Sequence, residues 1–153
     1  MDLILWRHAE AQDPGEGMSD LARPLTRRGE KQAARMAAWL DRQLPEGARV
    51  LASPAVRTEQ TVGALGRKYR LHDELRPGAT ADQLLRLAGW PTARAPVLVV
   101  GHQPALGQTV AQLLGLPGGD CAVKKGAVWW LRRRERDGAP QTVVVTVQAA
   151  ELL

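Results

Sequence analysis

Two histidines in this chain sit where a run of apolar residues stops. Leu3-Ile4-Leu5-Trp6 leads into Arg7-His8, and Val97-Leu98-Val99-Val100 leads into Gly101-His102. An apolar run that ends abruptly in polar residues is how a buried strand delivers side chains to a sheet edge. Ligands of open α/β sheets bind outside the carboxyl ends of the strands, which makes Arg7, His8 and His102 the first candidates for chemistry. An imidazole can attack an electrophile or carry a proton near neutral pH, and a guanidinium holds an oxyanion. A shorter strand, Arg49-Val50-Leu51-Ala52, ends at Ser53-Pro54-Ala55-Val56-Arg57. Ser53 is expected to cap the following helix, with Pro54 at its first position and Arg57 one turn in. Free N–H groups beside an arginine at a helix N-terminus make an anion site. A lone strand-terminal histidine reads as a structural residue. Two of them, each behind an apolar run, point to a converging site.

The elements that must position these side chains follow in order. Residues 9 to 25 hold Asp13, Pro14, Gly15, Gly17 and Pro24 and read as a loop beside the site, a candidate lid. Thr26 is expected to cap a helix running to about Leu44, whose apolar positions Ala33, Met36, Ala37, Leu40 and Leu44 recur at helical spacing. Residues 69–77 read as a short strand and turn in which His72 is structural or solvated, and Thr80 starts a helix reaching Gly89. Pro104 begins another, with Leu106, Val110, Leu113 and Leu114 inside. Ala127 to Leu131 and Thr142 to Val147, separated by Asp137-Gly138 and Pro140, predict a terminal antiparallel hairpin. Arg132, Arg133, Arg134 and Arg136 at its end are expected to form a solvated edge that charge protects against strand pairing. Together the elements predict an α/β fold: a three-layer sandwich with a mostly parallel central sheet, helices on both faces and an antiparallel C-terminal hairpin.

Composition bounds the function. With 153 residues, 44% hydrophobic and 24% charged, residues 1–153 are expected to form a single domain with its own core. The single cysteine, Cys121, leaves no disulfide framework and fits a reducing compartment. Three histidines and one thiol without zinc-like spacing, and the lack of a Gly-rich nucleotide loop, predict no metal and no cofactor. The short apolar run before Arg7 is no signal peptide, and no stretch reaches membrane-spanning length, so a cytoplasmic protein without a membrane partner is expected. A net charge of +5 and a pI near 10.1 favour anionic partners. Nucleic acid is not expected among them, since stacking aromatics beside the basic clusters are limited to Trp129 and Trp130.

Four motifs then fall in register: Arg7-His8-Ala9; Arg23-Pro24-Leu25-Thr26 with Gly29, Gln32 and Ala33; Ser53-Pro54 with Arg57, Gln60 and Thr61; and Val100-Gly101-His102-Gln103-Pro104. In order and spacing they resemble the histidine phosphatase superfamily over nearly the whole chain, and in shortness and wording its SixA-type phosphohistidine phosphatases. The resemblance implies a phosphoglycerate mutase-like fold and a metal-independent phosphatase with a phosphohistidine intermediate. It makes His8 the nucleophile and joins Arg7, Arg57 and His102 to it as the phosphate pocket, with Arg23 adding to substrate binding.

Three cationic or donor groups can hold the equatorial oxygens of an in-line phosphoryl transfer. Arg7 and Arg57 are expected to push the His8 pKa down and keep the imidazole neutral. His102 is better placed to donate to a phosphoryl oxygen, although residue chemistry alone leaves both histidines able to attack. Ala9 stands where much of the superfamily has Gly, and no general acid is evident; Glu10, Glu59 and Glu74 are the carboxylates near the motifs. An alkoxide leaves poorly without a proton, whereas an imidazole leaves without help from an acid. The expected substrate is therefore phosphohistidine on a signalling or phosphotransfer protein, with inorganic phosphate as product. A small phosphorylated metabolite is the alternative, and a phosphate-binding or acidic-partner module without turnover the third reading.

Overall fold

The computed structural model describes all 153 residues. Six strands form one sheet in the order β3-β2-β4-β1-β5-β6, with β1 at Asp2–Arg7, β2 at Arg49–Ala52, β3 at Arg70–Leu71, β4 at Val97–Gly101, β5 at Val128–Arg136 and β6 at Ala139–Gln148. The pairs β3·β2, β2·β4 and β4·β1 are parallel, and β1·β5 and β5·β6 are antiparallel. Four helices cover it: α1 at Arg27–Gln43, α2 at Val56–Gly63, α3 at Ala81–Ala88 and α4 at Ala105–Leu114. This is the expected α/β sandwich.

Alternation along β1 divides the core in two, because successive side chains of a strand point to opposite faces. Ile4 and Trp6 pack with Val50, Leu98 and Val100 against Met36, Ala37 and Leu40 of α1 and Val62 of α2. Leu3 and Leu5 pack with Leu51, Val97 and Val99 against Leu84, Leu85 and Ala88 of α3 and Leu106 and Val110 of α4. The central strands are therefore apolar on both faces, and their polar side chains are confined to the ends. No helix is long and apolar enough to cross a membrane.

Local chemistry explains most boundaries. Thr26 caps α1 by accepting from the Gly29 N–H at 2.9 Å, and Thr80 and Gln83 form a reciprocal capping box on α3, which Gly89 ends in the left-handed conformation. Asp137 and Gly138 both take positive φ, as a two-residue hairpin turn requires. Two expectations need correction. Ser53 and Pro54 lie before α2 and do not cap it; Ala55 holds the N-cap position, without a side-chain bond. Arg132, Arg133, Arg134 and Arg136 belong to β5, an inner strand, so the sheet edge they were expected to guard is β6, which carries no charged residue. Hairpin length is the reason: β5 continues through the arginines to the Asp137 turn, with the Arg132 side chain paired to Asp2 at 2.7 Å.

One of the fold's two tightest glycine approaches lies where α1 meets the turn after β1. A Cβ on Gly29 would stand 2.0 Å from the Glu10 carbonyl oxygen, against backbone that cannot swing away. Gly29→Ala is expected to destabilise the protein by about 2 kcal/mol or more, beyond ordinary core overpacking, and to lower activity by displacing residues 8–10. Gly63→Ala, at a helical site with open space around it, is expected to be neutral or slightly stabilising. Urea denaturation of the two variants checks both.

Candidate active site

The register of three neighbouring strands builds the site. Arg7 is level with Gly101 across β1·β4, and Ala52 with Val100 across β2·β4, so the residues that follow, His8, His102 and Ser53, emerge side by side at the carboxyl edge. The rings of His8 and His102 stand 5.2 Å apart between centroids. Both histidines are nearly inaccessible, at 6% and 4% exposure, and Arg57 is as deeply set at 4%.

A carbonyl fixes the tautomer of His8. Its Nδ1 lies 2.7 Å from the Ala9 oxygen, which can only accept, so Nδ1 carries the proton and Nε2 presents its lone pair. On His102, Nε2 meets the Ser53 hydroxyl at 2.8 Å, while Nδ1 has no partner within the protein. In the tautomer with Ser53 donating to Nε2, Nδ1–H is left as a free donor. Sequence reasoning made Ser53 a helix cap; its position next to the end of β4 shows only once the strands are paired.

Around the imidazoles stand guanidiniums. Arg7 donates from one terminal nitrogen to the Val123 carbonyl at 2.8 Å, in a loop that Gln103 ties down through the Cys121 carbonyl at 2.9 Å. Arg57 donates to the Asp20 carbonyl at 2.7 Å and to its carboxylate at 3.0 Å. Arg23 reaches the other oxygen of that carboxylate at 2.9 Å and the Gln12 carbonyl at 2.7 Å. Arg7 Nε and Arg57 Nε are buried donors without a partner in the protein, and His102 Nδ1, protonated when Ser53 donates to Nε2, is a third. Together they can hold an oxyanion.

The loop of residues 9–25 is fastened at its base. Ala11 bridges Leu25, the Gln12 N–H donates to the Pro24 carbonyl at 2.8 Å, and the Leu25 N–H donates to Gln60 at 2.7 Å. Asp20 is the residue on this loop that sequence reasoning missed, and its one signal was its position three before Arg23. The carboxylates near the motifs are engaged elsewhere or lack a partner. Glu10 accepts from the Thr26 hydroxyl at 2.9 Å, Glu74 lies 3.7 Å from His72, and Glu59 is half-buried on α2 with no ion pair.

Burial lowers the His8 pKa from 6.5 to about 4; the Ala9 hydrogen bond opposes this, and Arg57, Arg7 and Arg23 add to it. Burial, then His8 and Arg57, lowers His102 to about 3, with Asp20 pulling the other way. The sequence expectation that cationic neighbours keep His8 neutral has the right sign, but desolvation leads. The site is thus a pair of neutral imidazoles among cations at the carboxyl edge of an α/β sheet, an arrangement that can hold an oxyanion.

Comparison with known proteins agrees. The sequence model of the histidine phosphatase superfamily (branch 1) matches residues 3–79, and the chain belongs to this superfamily. Its relatives include proteins of SixA type. The chain is 36% identical over 123 residues to the phosphohistidine phosphatase SixA of Escherichia coli K12, covering 74% of each protein. It is 34% identical over 123 residues to Rv1276c of Mycobacterium tuberculosis H37Rv, an uncharacterized protein, covering 76% of this chain and 75% of that one. The structure of the protein histidine phosphatase SixA complexed with tungstate superposes with a TM-score of 0.76 at 28% identity, over 99% of both chains.

Two buried neutral imidazoles link stability to pH. The unfolded chain binds these protons near pH 6.5 and the folded chain only near 4 and 3, so the unfolded state takes up more protons below 6.5. Their contribution is complete above pH 6.5 and is lost as pH falls. The unfolding free energy is expected to drop by about 2 kcal/mol per imidazole between about pH 7.5 and about pH 5. Denaturant titrations at the two pH values measure the drop, and His102→Gln should remove roughly half of it.

Proposed function

We propose that this chain is a phosphatase that forms a phosphohistidine on His8 and acts on phosphohistidine carried by a signalling or phosphotransfer protein. The observation that carries the reading is the His8 Nδ1 bond to the Ala9 carbonyl, which leaves Nε2 as an unprotonated nucleophile beside a ring of donors. In this reading Nε2 attacks phosphorus in line as the bond to the leaving group breaks. Arg7, Arg57 and His102 hold the equatorial oxygens, where the charge of the transition state collects, and Arg23 adds its charge from the loop. Water then attacks the phosphohistidine and releases inorganic phosphate, returning the imidazole to its starting tautomer. Residues 1–153 act as one unit, since β5 and β6 complete the sheet directly beside β1.

Support for this substrate class comes from two directions. The relative from Escherichia coli is a phosphohistidine phosphatase, and tungstate, bound in the structural relative, is a tetrahedral oxyanion like phosphate. The nearby glutamates are a helix-capping partner, a neighbour of His72 and an unpaired helix residue, an arrangement that suits a leaving group needing no general acid.

His8→Ala is expected to abolish phosphate release from a phosphohistidine-bearing protein in the presence of EDTA, a loss of roughly 10⁴-fold or more. Arg57→Lys, which keeps the charge and loses the planar fork, should cost roughly 10²-fold. Quenching wild type during turnover into alkaline denaturant, where a phosphohistidine P–N bond survives, should trap label on His8. Label on His102 instead, or faster turnover of an alcohol phosphate than of phosphohistidine, would give the first step or the substrate class to the other candidate.

A further inference from the structure

Asp20 bonds both arginines that reach the site from outside β1. Its carboxylate meets Arg23 at 2.9 Å and Arg57 at 3.0 Å, and its carbonyl takes a further bond from Arg57 at 2.7 Å. The Arg57 side chain is 5% exposed and that of Arg23 22%, but the carboxylate is 55% exposed. The donors lie deep and the one carboxylate among them faces solvent, the side from which a residue displayed on another protein must enter. Its two arginine partners keep it ionised, the Arg23 hydrogen bond most strongly, against a smaller opposing effect of burial. An ionised carboxylate in that place cannot protonate a leaving oxygen.

Resting on the phosphatase reading above, we propose that Asp20 selects the leaving group, favouring a cationic phosphoimidazole over esters that leave as anions. A phosphoimidazole protonated on its distal nitrogen carries a positive charge. As His8 Nε2 bonds to phosphorus, the P–N bond breaks and its electron pair returns to the ring, which departs as neutral imidazole with its proton still on the distal nitrogen. No acid is required. The Asp20 carboxylate stabilises the protonated ring before the bond breaks and disfavours a leaving group that accumulates negative charge. It equally opposes the carboxylate of a phosphorylated metabolic acid. Asp20 is thus a specificity residue, acting on the leaving side, while Arg7, Arg57 and His102 act on the phosphoryl group.

A carboxylate that only holds Arg57 in place would affect every substrate alike, and this separates the two roles. The probes are phosphoimidazole and para-nitrophenyl phosphate, whose leaving group departs as an anion without needing a proton. With Asp20→Asn, kcat/KM for both substrates loses what the orientation of Arg57 contributes, and that for phosphoimidazole should fall roughly tenfold further than that for the ester, as expected for removing one charge at a half-exposed site. The alkaline limb of phosphoimidazole hydrolysis should move to lower pH in the variant, because the protonated ring loses its stabilising partner. Asp20→Ala should show the same split. Parallel losses on both substrates, or no change on either, overturn the proposal and leave the phosphatase reading intact. A wild type that hydrolyses neither probe overturns both.

Discussion

A histidine can attack phosphorus only if one ring nitrogen is bare and pointed, and the bond from His8 Nδ1 to the Ala9 carbonyl secures both conditions. That bond is short-range, between adjacent residues, so it holds only while the turn at residues 8–10 is rigid. Most of the polar chemistry near β1 serves that turn. The Ala9 N–H donates to the Thr61 hydroxyl of α2 at 3.1 Å, and the Glu10 N–H to Gln32 of α1 at 3.0 Å. The Glu10 carbonyl accepts from the Thr26 N–H at 3.0 Å, and the Gly126 N–H donates to the carbonyls of both Arg7 and His8. Two helices and the approach to β5 thus close around three residues. Gly29 has no side chain because the Glu10 carbonyl occupies that space.

The same packing that aims His8 Nε2 sets its protonation. In water an imidazole is half protonated near pH 6.5, but these two are buried and stand against each other, and charge on them is penalised first by lost hydration and then by Arg57 and Arg7. A protein that buries neutral histidines beside arginines gives up stability in acid and keeps an unprotonated ring nitrogen throughout the neutral range. Asp20 moderates the excess charge without entering the deep pocket. It neutralises the outer faces of Arg23 and Arg57, and, unlike His8, Arg57 and Arg7, it raises rather than lowers the tendency of His102 to hold a proton.

Much of this was legible in the sequence because it is written in local patterns. Apolar runs ending at Arg7-His8 and Gly101-His102 located the sheet edge, Thr26 and Thr80 marked helix starts, and Asp137-Gly138 marked the hairpin. What escaped was whatever depends on strand order. Ser53 is a good cap by type, and only the insertion of β4 between β2 and β1 brings its hydroxyl within 2.8 Å of His102. Asp20 sits in a loop whose composition says only that it turns. Its bonds to Arg57 span 37 positions and follow from how the loop folds back over α2. The arginines of β5 were misplaced for the opposite reason: charge suggested an edge, but the long hairpin adds β6 outside them.

Arg57 shows how these levels combine. It lies in the first turn of α2, so its backbone is fixed by a helix that is itself pinned by Thr58 bonding back to the Ser53 and Ala55 carbonyls at 2.7 and 2.8 Å. Its guanidinium has five N–H donors, and Asp20 takes one from each terminal nitrogen. Nε and the second hydrogens of the terminal nitrogens remain, all in one plane whose orientation Asp20 has already set. Holding the fork from outside removes rotational freedom before a phosphoryl group arrives, so its binding orders less of the protein and the donors meet the oxygens at little entropic cost. A lysine at this position would carry the same charge but could not be oriented by a partner on one edge and offer donors from the other. The chemistry of the site therefore asks for arginine, and the asking comes from Asp20 as much as from phosphate.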